Sequence, residues 1–450
     1  MRETSGRFYP QVWIDDANRR RWGDRPRVAL WITGACPGGK NRSFFAGYLG
    51  YREVSPNGNS EYARLMSMAD RASLFPVADD TAPQQDHTTG ILPSQAIRDA
   101  IAHRQIWAPD EITEEQVQPA SLDLRLGSLA YRMPASFLPG ADATVQQKID
   151  TYQMHRFELG DGAVLEKDCV YIVPLMERLQ LIKRMSAVAN PKSSTGRLDV
   201  FARLITDHGT EFDRVAERYN GPLYAEISPR TFSVLVRQGS RLLQLRIKQG
   251  SPQPSDSALR QLHEEVGLVD VAPGLENIKR GLLAVSVDAR GDPVNGLIGY
   301  RAKKHAGLID LEKIDHYDPL DFWDPVYARK RRAIVLNPGD FYILASKESI
   351  TVPPDHAAEM IPFDPLVGEF RVHYAGFFDP GFGHAEAGGA GTRAVLEVRS
   401  HDVPYMLEDG QVVGRLLYER LTARPDKLYG AGIGSSYQRQ GLRLSKQFKI

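Results

Sequence analysis

Glu397 lies in Val395-Leu396-Glu397-Val398, a carboxylate set among apolar side chains. Burial beside such neighbours raises a carboxyl pKa towards neutrality, where the group can both take and return a proton. Glu226, in Ala225-Glu226-Ile227, has a similar setting. The run Lys192-Ser193-Ser194-Thr195-Gly196-Arg197 places hydroxyls between two cations. The serines suit a water or a phosphate oxygen, and the guanidinium offsets negative charge. Asp379-Pro380-Gly381 adds another acid. Each group also has an ordinary structural role. A glutamate in a strand commonly faces solvent, Ser-Ser before Gly is a turn, and Asp-Pro-Gly is a common turn sequence. Cys169, inside an apolar run, reads as a core residue, and His373 as a strand histidine.

Two metal or phosphate signatures are incomplete. His384-Ala385-Glu386 has the form of the first half of a zinc deaminase motif, but no P-C-x-x-C follows anywhere. The only cysteines, Cys36 and Cys169, are far apart, so a zinc-bound water is not expected. Gly34 to Lys40 follows the apolar run Val28–Thr33 as most of a phosphate-binding loop. Asn41 stands where that loop needs a magnesium-binding hydroxyl, and no well-formed helix is expected after it.

The elements that must position these groups belong to an ordinary globular chain of 450 residues, 42% hydrophobic and 25% charged. Equal numbers of basic and acidic residues, 56 each, give no overall attraction to nucleic acid. No apolar run approaches the length of a membrane span, no signal peptide opens the chain, and two cysteines exclude a disulfide framework. The expectation is a cytoplasmic protein.

Internal repetition sets the architecture. Ala225–Ile247 aligns without a gap on Leu396–Tyr418 at an offset of 171, pairing Glu226 with Glu397, Gly239 with Gly410 and Leu245 with Leu416. Upstream, Ser121-Leu-Asp123-Leu-Arg125 pairs with Ser286-Val-Asp288-Ala-Arg290 at an offset of 165. The expected organisation is a poorly ordered extension over 1–88, one repeat over 89–250, a linker over 251–269 and a second repeat over 270–450. Short Val/Ile/Leu/Tyr runs between Gly, Pro and Asp turns make each repeat all-β with minor helix. The clearest helix is expected over Pro93–Ile106, with Ile97 and Ile101 on one face.

Lys192-Ser193-Ser194-Thr195-Gly196-Arg197-Leu198 resembles the R-S-S-x-x-R-L signature of dCTP deaminases, members of the trimeric dUTPase-like superfamily. Asp379-Pro380-Gly381-Phe382 with Val395-Leu396-Glu397 is similar to that family's D-P-G-W…V-L-E segment. Tyr429…Tyr437-Gln438-Arg439-Gln440-Gly441 resembles its closing tail, although Ser436 takes the place of its phosphate-side lysine. The whole resembles the long bacterial form with two fused units.

The resemblance implies two tandem distorted jelly-roll barrels with sites between units, one giving the serine–arginine loop and its neighbour the glutamate strand. Repeat two has Phe363–Arg371 in place of that loop, and repeat one has Phe212-Asp213 where Asp-Pro-Gly belongs. A composite pocket follows, with the 192–197 loop facing Asp379–Glu397; the rival pairs Glu226 with the loop of another chain. The implied reaction is zinc-independent deamination of dCTP to dUTP and ammonia, with magnesium arriving on the triphosphate. Glu397 or Glu226 would carry the proton between water and N3 of the base. Ser193 and Arg197 would assist, while Lys192, Ser194, Thr195, Gly196, Asp379, Val395, Leu396, Tyr429, Tyr437 and Gln440 would bind substrate. Self-association in a trimer-like arrangement of units is implied as well. The alternatives are a dUTP diphosphatase, a bifunctional deaminase–diphosphatase, and a non-catalytic nucleotide-binding regulator.

Overall fold

The computed structural model describes residues 28–34, 42–49, 87–250, 254–362, 370–372, 376–400, 402–430 and 442–450. The chain divides into two compact units, Met1–Pro83 and Gln84–Ile450. In the first, strands Val28–Gly34 and Arg42–Leu49 pair antiparallel, with Gly34 opposite Arg42. A phosphate-binding loop needs a helix after its lysine; here a returning strand follows Lys40.

Gln84–Ile450 is built mostly of strands with a few short helices. Its duplication extends to hydrogen-bond register. In repeat one, Asn220–Pro229 lies between Val170–Gln180 and Val200–Thr206, and Arg241–Gln249 pairs with Met185–Pro191 and Leu122–Arg125. In repeat two, Thr392–Ser400 lies between Phe341–Ile350 and Phe370–Val372, and Val412–Arg420 pairs with His356–Pro362 and Leu282–Ser286. Ile172 faces Glu226 just as Ile343 faces Glu397, and Ala187 faces Ile247 just as Ala358 faces Tyr418. All four equivalences carry the 171 offset. A slip of one residue in either copy would turn each glutamate to the opposite face of its sheet.

The helix expected over Pro93–Ile106 covers only Ser94–Ala102. Arg104 takes a left-handed φ of 54°, which ends the helical run, and Ile106 instead pairs with Leu179. Ile97 is fully buried while Ile101 is only partly so. A second helix, Val145–Tyr152, opens with a capping box between Thr144 and Gln147 that the sequence reading did not use. Asp256–Val266, inside the expected linker, is a helix that buries Leu259 and His263 and ends on left-handed Gly267.

Part of repeat two, including Ile309, Phe322 and Trp323, enters the core of repeat one, while the rest of repeat two keeps a core of its own. Phe232 of repeat one packs edge-on against Phe322 and Trp323 of repeat two, at 5.7 and 5.4 Å. Val234-Leu235 pairs in parallel with Ile309-Asp310. Fully burying such aromatic rings contributes on the order of 2–3 kcal/mol each, so the boundary between repeats is as firmly packed as a domain interior.

Candidate active site

A cavity of about 910 Å³ opens between the repeats. From repeat one it takes the 192–197 loop, Asp123, Arg241 and Gln244; from repeat two, Asp379, Val395, Glu397, Tyr429 and Lys446.

The loop follows the Met185–Pro191 strand. Proline cannot donate to the sheet and closes the strand. Thr195 and Gly196 then donate their N–H groups to the Lys192 carbonyl, at 2.8 and 3.0 Å, coiling Ser193–Gly196 into a single turn. Along Thr392–Ser400 alternate residues face opposite sides. Val395 and Glu397 line the cavity, whereas Ala394, Leu396 and Val398 enter the core of repeat two.

Glu397 is 7% exposed. Desolvation pushes its pKa up to about 7; the Arg197 charge opposes the rise and the Asp199 carboxylate adds to it. Asp199 is itself ion-paired with Arg399 and accepts from Thr231 Oγ1 at 2.5 Å. Asp379 is buried as well, and burial raises its pKa although the Arg246 guanidinium, 3.3 Å away, opposes this. The turn it opens has Gly381 at φ +93°, where a side chain would be strained and would crowd Ala387 and Leu428. That turn seats Tyr429, whose N–H donates to the Pro380 carbonyl at 2.8 Å and whose ring lies 5.7 Å from that of Phe382.

Opposite the glutamate, positive charge gathers around one acid. Lys192 is ion-paired with Asp123, Arg241 Nη1 lies 3.9 Å from the same carboxylate, and Gln244 donates to it at 3.2 Å. Lys446 also lines this end, and its pKa is lowered by burial and by the charge of Lys192. Three cations around one carboxylate suit a polyanion.

The structure thus brings Lys192, Ser193, Ser194, Thr195, Gly196, Arg197, Asp379, Val395, Glu397 and Tyr429 to one cavity. Two expected site residues are elsewhere. Leu396 is fully buried core, because it alternates with its two cavity-facing neighbours. Glu226, 1% exposed, does not line this cavity and is ion-paired with Arg203. Tyr437, Gln440 and most of the Phe363–Arg371 stretch lie outside the described residues. Arg197 Nη1 donates to the Arg443 and Leu444 carbonyls at 3.1 and 3.5 Å, so this cation braces the C-terminal segment. Sequence reasoning missed Arg241, Gln244 and Lys446. Asp123 had a signal, as part of the repeated Ser121–Arg125 anchor; Lys446 had none beyond a basic C-terminus.

Comparison with known proteins identifies the family. Residues 88–251 match the family model of the 2'-deoxycytidine 5'-triphosphate deaminase N-terminal domain, and residues 255–448 match that of its C-terminal domain. A curated protein of Beutenbergia cavernae named "dCTP deaminase, dUMP-forming" is 38% identical over 152 residues, 32% of this chain and 74% of that protein. A protein of the same name from Nocardia farcinica is 30% identical over 192 residues, 40% of this chain and 85% of its own length. The crystal structure of 2'-deoxycytidine 5'-triphosphate deaminase from Agrobacterium tumefaciens is 54% identical, with a TM-score of 0.71 over 76% of this chain and all of that one. Both halves of the family's domain pair follow one another here on a single polypeptide, and the chain belongs to the dCTP deaminase family as a long form with two fused units.

Proposed function

We propose that this enzyme deaminates dCTP hydrolytically in the cavity between its two repeats, giving dUTP and ammonia in pyrimidine deoxynucleotide supply. The observation that carries the reading is the meeting of Glu397, with a pKa near 7, and the Ser193–Arg197 loop of the other repeat in one cavity. A carboxyl poised near neutrality is suited to moving one proton twice. Water adds to C4 of the cytosine while Glu397 takes its proton and passes it to N3. The tetrahedral intermediate then collapses: the C4 hydroxyl gives its proton through Glu397 to the leaving nitrogen, C4=O forms as the C4–N4 bond breaks, and ammonia departs. Ser193 and Ser194 hold the water or the developing oxygen, and Arg197 fixes the loop against the tail. Lys192, Arg241 and Lys446 receive the triphosphate, with Asp379 and Tyr429 along the wall of the cavity.

Several lining carboxylates already have cationic partners: Asp123 with Lys192, Asp379 with Arg246, Glu114 with Arg98 and Lys427. Such a donor set fits magnesium carried in on phosphate oxygens and water rather than a protein-built cage. When bound, that ion offsets triphosphate charge. Zinc-independent chemistry, a distorted jelly-roll form for each repeat, self-association of chains and a cytoplasmic setting belong to the same reading.

The names of the curated relatives favour a second reading, in which dUMP and pyrophosphate are released as well. Product analysis separates the two. Chelator-treated enzyme resupplied with magnesium is given dCTP, and the nucleotides are resolved by chromatography. Ammonia with dUTP supports the first reading, and ammonia with dUMP and pyrophosphate the second. Binding without turnover would overturn both.

A further inference from the structure

Among the described residues, Arg246 is the largest charged side chain buried completely, at 0% exposure. It lies on Arg241–Gln249, whose Leu243, Leu245 and Ile247 enter the core of repeat one. The alternate residues face repeat two or the cavity: Gln244 donates to Asp123, Arg246 reaches the Asp379 turn, and Lys248 pairs with Glu419 at 2.6 Å. The 171 offset puts Leu417 at the equivalent place in repeat two, so an apolar side chain satisfies this strand position in the other copy.

A buried guanidinium destabilises unless its charge and donors are met. Here Nη1 donates to the Ala358 carbonyl at 3.0 Å, and Nη2 to the Phe378 carbonyl at 3.4 Å and Asp379 Oδ1 at 3.3 Å. The guanidinium carbon also lies 4.0 Å from the centre of the Phe377 ring. Every one of these partners belongs to repeat two, and three of the four belong to Phe377-Phe378-Asp379, which lines the cavity. Among the described residues the side chain has no such partners in its own repeat, and its Nε is buried without a hydrogen bond.

We propose that Arg246 is a positioning residue for the deamination: reaching across from repeat one, it fixes the Asp379 turn of repeat two in the place the nucleotide requires. The inference rests on the cavity being the dCTP site. Arg246 does not line the cavity and acts through Asp379. The other charges that reach Asp379 are Asp123, which opposes its ionisation, and Lys192, which favours it but is held by Asp123. Without Arg246 the buried carboxyl has only that distant lysine to keep it ionised.

The test is a double-mutant cycle in the full chain, with kcat and KM for dCTP measured from pH 6 to 9 for Arg246→Leu, Asp379→Asn and the double variant. Arg246→Leu, which installs the side chain found at the equivalent position, should lower kcat/KM at pH 7 on the order of 10- to 100-fold, as a misplaced binding group does. That loss should shrink as pH rises and Asp379 ionises. The double variant should be no worse than Asp379→Asn alone. Arg246→Lys keeps a cation but not the fork, so its pH profile should stay at that of the wild type even if its rate falls, and it serves where the leucine variant does not fold. Multiplying losses in the double variant, or a lysine variant whose pH profile moves, would overturn the positioning role. A wild-type chain that neither binds nor deaminates dCTP would overturn the functional reading and this inference with it.

Discussion

Glu226 and Glu397 occupy one register position in two copies of a sheet, opposite Ile172 and Ile343, yet only Glu397 reaches the cavity. Arg203 holds Glu226 instead. It sits directly across from Glu226 on Val200–Thr206, pairs with that carboxylate, and lies over the Phe212 ring at 3.6 Å. One carboxylate is neutralised inside a sheet; the other is left with a raised pKa beside a cavity.

Glu397→Gln should therefore abolish turnover while leaving dCTP binding intact, a fall of about 100-fold or more in the chemical step. Glu226→Gln should cost stability, because a partly buried arginine loses its partner, and leave the chemical step within about threefold. Single-turnover deamination at saturating dCTP measures both. A dead Glu226→Gln beside a near-normal Glu397→Gln would move the working site to repeat one.

The same substitution has a signature in stability. Glu397 ionises near pH 7 when folded, against an ordinary 4.5. Below pH 4.5 it is protonated in both states and costs nothing. Between 4.5 and 7 only the unfolded chain gives up the proton, so stability falls as pH rises, and above 7 the full penalty remains, on the order of 3 kcal/mol. Glu397→Gln should stabilise the fold at pH 8 by up to about that amount and change it little at pH 4.5 or below, as read by urea denaturation. Equal effects at both pH values would show that Glu397 is not the buried acid described. In activity, kcat/KM of the wild type should climb towards a plateau above pH 7 as Glu397 becomes able to accept a proton.

Much of this site was legible because duplication preserves spacing. The 171 offset aligned the glutamates, and the family motifs named the 192–197 loop and the Asp379 turn. Alternation along a strand was equally available and would have removed Leu396, since Val395 and Glu397 cannot share a face with it. What could not be read were residues whose partners are distant in sequence. Arg203 closes off Glu226 from 23 positions away, Arg246 meets Asp379 across 133, and Lys446 enters the cavity on a segment with no periodicity. The helix after Pro93 was overestimated at its C-terminal end, where Arg104 turns left-handed and Ile106 pairs with Leu179, a contact distant in sequence.

A chain starting at Met68 should keep the deaminase activity and the melting temperature of the full chain. The matched family domains begin at residue 88, and Met1–Pro83 forms a compact unit of its own. Loss of soluble, active protein on that truncation would assign the earlier segment a part in folding or catalysis.

The C-terminal segment should act as a clamp on the site, anchored by one aromatic ring. Phe448 is 3% exposed and packs against Phe322 at 5.4 Å and Trp323 at 5.9 Å. Asp315 donates its N–H to the Lys446 carbonyl at 2.9 Å, and Tyr317 to that of Gln447 at 3.0 Å. Ser445 Oγ donates to the Ser194 carbonyl at 2.7 Å, so the tail grips the catalytic loop directly. Phe448→Ala removes an anchor that a core position of this kind values at about 3–5 kcal/mol. The melting temperature should fall, because Phe322 and Trp323 lose their cover, and the tail should become susceptible to carboxypeptidase. Both kinetic constants should suffer: KM through withdrawal of Lys446, and kcat through loss of the carbonyls that Arg197 holds. Lys446→Met, with the tail still docked, should raise KM about tenfold and leave kcat nearly unchanged, as expected of a group that binds ground and transition states alike. A Phe448→Ala enzyme with wild-type KM and a protease-resistant tail would show that the ring anchors nothing the site uses.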